Sequence, residues 1–277
     1  MLEDAITARD RRDDITKLIK NLIKSSKNAD PANSAETTID FNEVADYLSD
    51  PTSVTELIFP YFHSIPERFN PTGEQVFYWQ YVGREKFAQL LKELREVRGS
   101  TVYDKLWLYG TQGYGKSHLL ATLVCYLTAR GEPVVFIPDC RTCRDEPETC
   151  FKRAMLFAWT DDATQQEILA LNTMAEIMQF LDERKGALIV IDQMNILTEV
   201  EVSNADLQRN IDLVKWIDGL AATHRMVLSS SSANYLEYLQ RSKKQTTEHR
   251  MRVYGGFTKV CGSKSAAGIF LIVLRPK

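Results

Sequence analysis

The sequence predicts a three-layer α/β fold, in which helices cover both faces of a central parallel sheet of five strands. Short apolar runs alternate along the chain with longer helical patterns, and a glycine-rich loop directly follows one of the runs. The run at 187–191 is apolar throughout and rich in β-branched residues, which is typical of strands buried on both faces. Such alternation implies right-handed crossovers and a site at the carboxyl ends of the strands.

The loop at 110–117 reads Gly-Thr-Gln-Gly-Tyr-Gly-Lys-Ser and fits the phosphate-binding pattern without a mismatch. A predicted strand at 106–109 precedes it, and a predicted helix at 118–129 follows. Glycines let backbone N–H groups surround phosphate oxygens, and the helix N-terminus adds partial positive charge. We therefore expect Lys116 to reach the β- and γ-phosphates and Ser117 to hold Mg²⁺. The candidate nucleotide-binding residues here are Gly110, Thr111, Gln112, Gly113, Tyr114, Gly115, Lys116, Ser117 and His118.

A second nucleotide motif is predicted where the apolar run at 187–191 ends in Asp192. A carboxylate at the tip of a buried strand is costly unless a cation or donors meet it, and Mg²⁺ beside the loop serine answers that need. Capping of a helix is the alternative role. The next residue is Gln193, where many related ATPases carry a glutamate that polarises the attacking water. An amide orients water but is a poor base, so we expect slow hydrolysis. Glu199 and Glu201 are alternative bases by proximity in sequence alone.

A fourth strand, predicted at 225–232, is expected between the first and third strands with its tip facing the γ-phosphate. Candidate polar sensors at this tip, or ordinary helix N-caps, are Ser231, Ser232 and Asn234. Candidates for a transition-state arginine, or solvated surface residues, are Arg225, Arg250 and Arg252. A fifth strand is predicted at 251–257, and a further one at 268–274.

The segment Val82, Gly83 and Arg84 opens a predicted helix that ends near Val97. It resembles the segment that lines the adenine pocket in many ATPases of the AAA and signal-transduction (STAND) types. A glycine there permits close backbone approach, and apolar neighbours can sandwich a flat base. Together with the loop, it predicts a P-loop NTPase of the ASCE/STAND-like kind with an N-terminal helical extension.

Four segments are predicted. Residues 1–40 form a charged helical extension and linker, 41–80 an irregular aromatic-rich segment of short helices and loops packed on the core, 81–258 the NTPase domain, and 259–277 a tail with a possible extra strand. The extension carries an apolar stripe that is expected to pack on the body or on another chain, made of Ile15, Leu18, Ile19, Leu22 and Ile23. The linker is expected over residues 25–38.

Three further patterns stand out, and two of them have competing interpretations. The spacing of Cys140 and Cys143, with Cys150 nearby, permits a metal site but offers no second pair, so buried thiols are the alternative. A long helical stretch before Gly186 places one apolar face at Ile168, Leu171, Ala175, Met178 and Leu181. A basic cluster that is either a nucleic-acid contact or a solvated face comprises Lys243, Lys244, His249, Arg250 and Arg252.

Composition narrows the functional classes. The 277 residues carry a net charge of −3, so no global basic field favours nucleic acid. No apolar stretch reaches the length of a membrane span, and the charged start has no secretory core. Five cysteines indicate reduced thiols in a soluble protein of a reducing compartment.

Four stretches together resemble the P-loop NTPase module of Crinkler-type effectors, which the retrotransposon hot-spot proteins of trypanosomes share. They lie at 110–117, 134–141, 191–195 and 254–258, and the Asp-Gln-Met-Asn and Pro-Asp-Cys-Arg sequences are the most diagnostic. The resemblance implies an ATPase that uses ATP and Mg²⁺, with Lys116, Ser117 and Asp192 at the site. It also implies that Gln193 belongs to the module, and it adds Asn195 as a candidate near the γ-phosphate.

Members of that group are typically secreted effectors that act in host nuclei, so the resemblance implies a host protein partner. This sequence shows neither their translocation header nor a secretion signal, and it ends soon after Phe257, where they continue into a lid and an effector domain. The loop, Asp192 and Gln193 together favour the hypothesis of a magnesium-dependent ATPase with slow hydrolysis. The alternative is a nucleotide-switched binding or self-associating module that contacts protein or nucleic acid, and a small-molecule kinase is the third possibility.

Overall fold

A computed structural model describes residues 2–24, 39–61, 65–69, 77–102, 104–198, 203–231 and 248–253 of the chain. The helices in these ranges are α1 (Leu2–Lys24), α2 (Phe41–Ser49), α3 (Glu85–Gly99), α4 (Lys116–Ala129), α5 (Cys140–Asp145), α6 (Pro147–Ala158), α7 (Asp162–Ala170), α8 (Met174–Glu183) and α9 (Asn204–Leu220). Short 3₁₀ turns lie at Glu67–Phe69 and Met194–Thr198. The strands are β1 (Val54–Ile58), β2 (Tyr78–Val82), β3 (Lys105–Gly110), β4 (Val134–Ile137), β5 (Leu188–Ile191), β6 (Arg225–Ser231) and β7 (Glu248–Arg252).

The central sheet has five parallel strands, as the sequence predicts, and their order is β4-β5-β6-β3-β7. Strand β6 lies between β3 and β5, and Gly110 at the end of β3 is in register with Ser231 at the end of β6. The ends of β3, β5 and β6 therefore meet at one edge. Strand β7 begins at Glu248, earlier than predicted, and the predicted strand residues 254–257 and 268–274 lie outside the described ranges.

Helices flank this sheet on both faces because the connections run in opposite directions. From β3 the chain crosses to the far edge at β4, whereas the next two connections step back through β5 to β6. Right-handed crossovers place helices of oppositely directed connections on opposite faces. All four residues of β4 and of β5 are buried, as expected of strands covered on both sides.

The prediction of one long helix before Gly186 is wrong. Helix α7 ends at Ala170, and α8 starts only at Met174. A capping box explains the break, because the Thr173 hydroxyl accepts from the Glu176 backbone N–H while the Glu176 carboxylate accepts from the Thr173 N–H. The sequence contains this Thr-x-x-Glu signal, which the apolar periodicity across the break obscures.

The segment at 41–80 is more regular than predicted. Helix α2 leads into an antiparallel pair of strands, β1 and β2, in which Val54 pairs with Val82 and Ile58 with Tyr78. Alternation along β2 buries Trp79 and Tyr81. Strand β2 runs across residues 80 and 81, so the predicted segments 41–80 and 81–258 share a strand.

Helix α1 packs on the body of the same chain, against α4 and α6. Its stripe buries Ile15 and Ile19 completely. The guanidinium of Arg12 donates to the carbonyls of Phe157 and Ala158, the last two residues of α6, at 2.9 and 2.8 Å. The Ile23 side chain and the predicted linker at 25–38 lie outside the described residues.

Gly83, directly after β2, allows a test of how this part of the chain packs on Asp50 at the end of α2. A Cβ on Gly83 would lie 2.1 Å from the carbonyl oxygen of Asp50, so Gly83→Ala must push backbone apart. We expect a loss of about 1–3 kcal/mol in the free energy of unfolding, measured by urea denaturation. In the matched variant Gly99→Ala the new methyl would meet no atom within 4 Å, and stability should stay equal or rise. Equal stability of the two variants would contradict this packing.

Candidate functional site

The glycine-rich loop joins the end of β3 to the start of α4, at the edge where the central strands end. Gly113 and Gly115 have φ values of 85° and 76°, which favour glycine. Helix α4 begins directly at Lys116, and no side chain caps its first turn. The exposed residues Thr111, Gln112 and Gly113 form the outer part of the loop. The loop therefore presents backbone N–H groups and a helix N-terminus together, as an anion site requires.

Lys116 folds back over this loop. Its Nζ donates to the carbonyls of Gly110, at 2.8 Å, and Thr111, at 3.0 Å. Burial lowers the pKa of Lys116, while the nearby carboxylate of Asp192 raises it. The lysine and the carboxylate that the sequence singled out therefore share one site, and half-buried Ser117 follows in the first turn of α4.

Asp192 lies immediately after β5, with its side chain 2 % exposed. The hydroxyl of Ser229 on β6 donates to Oδ1, and the backbone N–H of Gln193 donates to the same oxygen at 2.9 Å. Oδ2 lies 3.4 Å from Nη2 of Arg68. Donors and a cation thus surround the buried carboxylate, which is what its burial demands. Ser229 is not among the polar sensors predicted from the sequence, which lie two or more residues further along the chain.

Gln193 has a φ of 63°, an unusual backbone conformation for a residue other than glycine. With its amide oriented to satisfy its hydrogen bonds, the side-chain oxygen accepts from Arg68 Nη1 at 2.8 Å and from Nε at 3.3 Å. The conformation costs on the order of 1 kcal/mol. The water-orienting candidate is therefore tied to an arginine in this structure.

Arg68 is the main site residue that the sequence analysis missed. It lies in the 3₁₀ turn Glu67–Phe69, and its Nη2 donates to the carbonyl of Pro138 as well as pairing with Asp192. Its Nη1 lies 3.4 Å from Oδ2 of Asp139, the N-cap of α5. No sequence pattern marks this arginine, because only the tertiary fold brings it to the strand ends.

The segment at 82–84, which is predicted to line an adenine pocket, contacts the loop through Arg84. Its Nη1 donates to the carbonyl of Tyr114 at 3.0 Å and lies under Gly115, where a Cβ would sit 1.9 Å away. Gly83 makes its close approach to the backbone of Asp50 within the chain. Val82 ends β2 and is partly buried.

His118 packs in an aromatic cluster beneath the loop. Its ring stacks on Phe69, with centroids 4.7 Å apart, and meets Trp79 edge-on at 5.2 Å. Burial, and then the positive charges of Arg84 and Arg68, lower the pKa of His118 to about 3. The side chain is therefore neutral near pH 7.

This depressed pKa predicts a pH dependence of stability. Above pH 6.5 the imidazole is neutral in both the folded and the unfolded chain. Between pH 6.5 and about 3, only the unfolded chain takes up the proton, so the free energy of unfolding falls by up to about 1.4 kcal/mol per pH unit. We expect His118→Phe, compared with wild type by urea denaturation at several pH values, to show a shallower fall in this window. Parallel curves for the two proteins would contradict the assignment.

Of the arginine candidates from the sequence, Arg225 and Arg250 lie away from the strand ends at the loop, whereas Arg252 lies at that edge. Arg225 opens β6 at the opposite edge of the sheet and donates to the carbonyl of Ser100 at 2.8 Å, so its placement near the strand tips was wrong. Arg250 pairs with Glu248 within β7. Arg252 ends that strand, opposite Tyr109.

Asn195 is half-buried in the 3₁₀ turn Met194–Thr198. Several candidates lie outside the described residues or have side chains outside them: Glu199, Glu201, Ser231, Ser232, Asn234, Lys243, Lys244 and residues 254–258.

The three cysteines whose spacing permits a metal site are not among the ligand clusters of the described residues. Cys140, Cys143 and Cys150 are buried thiols, and burial raises the pKa of Cys140. The hydrogen bond with Cys150, and then burial, raise the pKa of Cys143. Within the described ranges, the group with metal-ligand chemistry is Glu93, Glu96 and His249. Helix α3 and strand β7 bring these three together, and His249 already hydrogen-bonds Glu93.

A parallel sheet in this order, a glycine loop after β3 and a buried acid after β5 define a P-loop NTPase-like fold. No protein-family model matches the sequence, and no curated protein matches it either. None of the described helices has the length and apolarity to cross a membrane.

Similar solved structures have low identity. They include a DNA replication initiation factor (14% identity, 61% of this chain and 45% of that chain, TM-score 0.36) and AMPPCP-bound DnaA from Aquifex aeolicus (14%, 69% and 50%, 0.36). A third is the HORMA:CdnC:Trip13 complex of E. coli MS115-1 (13%, 70% and 69%, 0.35). The similarity spans about half the length of the first two chains. The site's own residues, and not these similarities, carry the functional proposal.

Proposed function

We propose that this chain binds ATP with Mg²⁺ at the loop over 110–118 and hydrolyses it slowly. The observation that carries the proposal is that Lys116, the first residue of α4, and the buried carboxylate of Asp192, directly after β5, lie at the same end of the sheet, where the carboxylate raises the pKa of the lysine. The lysine ammonium contacts only loop carbonyls in the hydrogen bonds described above, and phosphate oxygens are stronger acceptors for it.

The residues present fit the metal. A hydroxyl and a carboxylate are hard oxygen ligands of the kind that Mg²⁺ takes, so Ser117 and Asp192 would hold it. The ion would neutralise phosphate charge when bound. Lys116 would bind the β- and γ-phosphates, the glycine loop would orient them, and Ser229 would hold Asp192 in place through its hydroxyl.

Slow turnover follows from the position after Asp192. Gln193 carries no carboxylate, so it can orient a water molecule but is a poor base. The oxygen of its amide is also held by Arg68, which must release that oxygen before it can accept from water. Asn195 is a second polar side chain that we place near the γ-phosphate in this proposal.

The binding of adenine and the biological setting are further parts of the proposal. Val82, Gly83 and Arg84 would line the adenine pocket, which the contact of Arg84 with Tyr114 supports. The resemblance of the four sequence stretches extends the proposal to an effector of the Crinkler type, with a host protein as partner and the host nucleus as the place of action.

A nucleotide-switched binding module is the second candidate, favoured by the engaged amide of Gln193. In that case occupancy, and not hydrolysis, would change self-association or the contact with a protein. Nucleic acid as the partner predicts binding that weakens steeply with salt.

Calorimetric titration with Mg-ATP, paired with phosphate release, tests both candidates. Uptake with turnover supports the hydrolase, and tight uptake without turnover supports the switch. No uptake of any nucleoside triphosphate by folded protein would overturn both.

A further inference from the structure

We propose that Arg68 senses the terminal phosphate of the bound nucleotide, an inference that rests on the proposed function. In the described structure its guanidinium bridges the two carboxylates at the strand ends, Asp139 and Asp192, and holds the amide of Gln193. On binding of Mg-ATP it would exchange Asp192 for γ-phosphate oxygens. It would thereby discriminate triphosphate from diphosphate.

The contacts of Arg68 divide into firm and loose ones. It donates to the carbonyl of Pro138 and, at 2.8 Å, to the amide oxygen of Gln193, whereas both carboxylate contacts are 3.4 Å long. A charge-assisted hydrogen bond of full strength is about 2.7–2.9 Å long. The guanidinium is therefore anchored by neutral acceptors, and its carboxylate partners can be exchanged for other anions.

Asp192 makes such an exchange necessary if it binds metal. Its Oδ1 already accepts from Ser229 and from the Gln193 N–H, so Oδ2, which faces Arg68 Nη2, is the oxygen left for a cation. If Asp192 held Mg²⁺ through this oxygen, the guanidinium of Arg68 would have to leave it. The Nη2 donor then needs another acceptor, and an anionic oxygen carried by the metal is the acceptor that its charge favours.

Arg68 is also coupled mechanically to the loop. Its neighbour Phe69 is buried and stacks on His118, two residues beyond Lys116 on α4. Phe69 contacts Trp79 of β2 as well, with ring centroids 5.2 Å apart. The arginine is thus fixed to the phosphate-binding helix on one side and to the β1–β2 pair on the other. A phosphate contact by Arg68 would be transmitted to that strand pair.

The experiment compares affinities for Mg-ATP and Mg-ADP by calorimetry in wild type, Arg68→Gln and Arg68→Lys. We expect Arg68→Gln to lower affinity for ATP about 10- to 100-fold and affinity for ADP less than about 3-fold. Arg68→Lys should give an intermediate ATP-to-ADP ratio, because a lysine keeps the charge but not the planar fork. It also provides a readout if the glutamine variant fails to fold.

The matched control is Arg184→Gln. Arg184 has a similar exposure, 27% against 25%, pairs with Glu167 and lies over the ring of Phe180, away from the loop. We expect this control to keep the wild-type ratio. A merely structural role of Arg68 lowers both affinities together, so an unchanged ATP-to-ADP ratio in the Arg68 variants would overturn the inference while wild-type binding upholds the proposed function. If wild type takes up neither nucleotide, the proposed function fails first, and this inference fails with it.

Discussion

Replacement of Lys116 by alanine is expected to lower the rate of ATP hydrolysis by about 1,000-fold and to weaken ATP binding severely. The ammonium is the cation in the loop that would contact the transferred phosphate, and nothing in the loop replaces its charge. In the absence of nucleotide the variant loses two hydrogen bonds, to the carbonyls of Gly110 and Thr111, and the attraction of the Asp192 carboxylate, which is offset by no longer burying an ammonium. Its free energy of unfolding should therefore change by less than about 1 kcal/mol.

Lys152→Ala is the matched control for this experiment. The Nζ of Lys152 also donates to two backbone carbonyls, those of Leu169 at 3.0 Å and Leu171 at 2.6 Å, where α7 ends. The control therefore removes the same kind of bonds away from the loop. We expect it to lower stability and to leave nucleotide affinity unchanged. Phosphate release and calorimetry check both variants, and full activity in Lys116→Ala would exclude the proposed role of the loop.

Replacement of Asp192 by asparagine is expected to remove the dependence of ATP binding on Mg²⁺ and to lower hydrolysis by about 100-fold or more. The amide keeps the shape of the side chain, and its oxygen can still accept from Ser229 and the Gln193 N–H. What is lost is the negative charge that would hold the metal. The measurement compares ATP affinity with Mg²⁺ and with EDTA, where wild type should show a large difference and the variant a small one.

Asp139→Asn is the control that separates charge near Arg68 from metal binding. Asp139 also lies 3.4 Å from the guanidinium, yet it caps α5 by accepting from the Arg141 N–H at 2.8 Å. We expect this variant to keep the magnesium dependence of wild type. The proposed metal site would be wrong if both variants lost that dependence equally, or if neither did.

The parallel strands, the place of β6 between β3 and β5, and the loop could be predicted because each depends on local patterns. A buried apolar run predicts a strand, and the handedness of crossovers then limits where β6 can lie. The metal-binding candidates follow from the same logic, since Ser117 ends the glycine-rich motif and Asp192 directly follows a buried apolar run. These parts of the prediction needed no knowledge of contacts between distant residues.

Arg68 and Ser229 could not be predicted in this way. Arg68 reaches Asp192 from a segment 124 positions earlier in the chain, and it lies in an aromatic region whose pattern indicates only packing. Ser229 is a small polar residue inside a strand, where the alternation of faces between Leu228 and Ser230 does not reveal which atom it will meet. Their roles arise from tertiary contacts that bring separate strand ends and turns together.

Helix α1 has a consequence for how the protein can be divided. Arg12 donates to the carbonyls at the end of α6 and, at 3.2 Å, to the carbonyl of Glu132 in the turn after α4. Helix α1 therefore links α4, which starts at the glycine-rich loop, to α6. A chain trimmed to residues 41–277 would uncover the apolar surface beneath Ile15 and Ile19. We therefore expect the smallest stably folded unit to retain these amino-terminal residues.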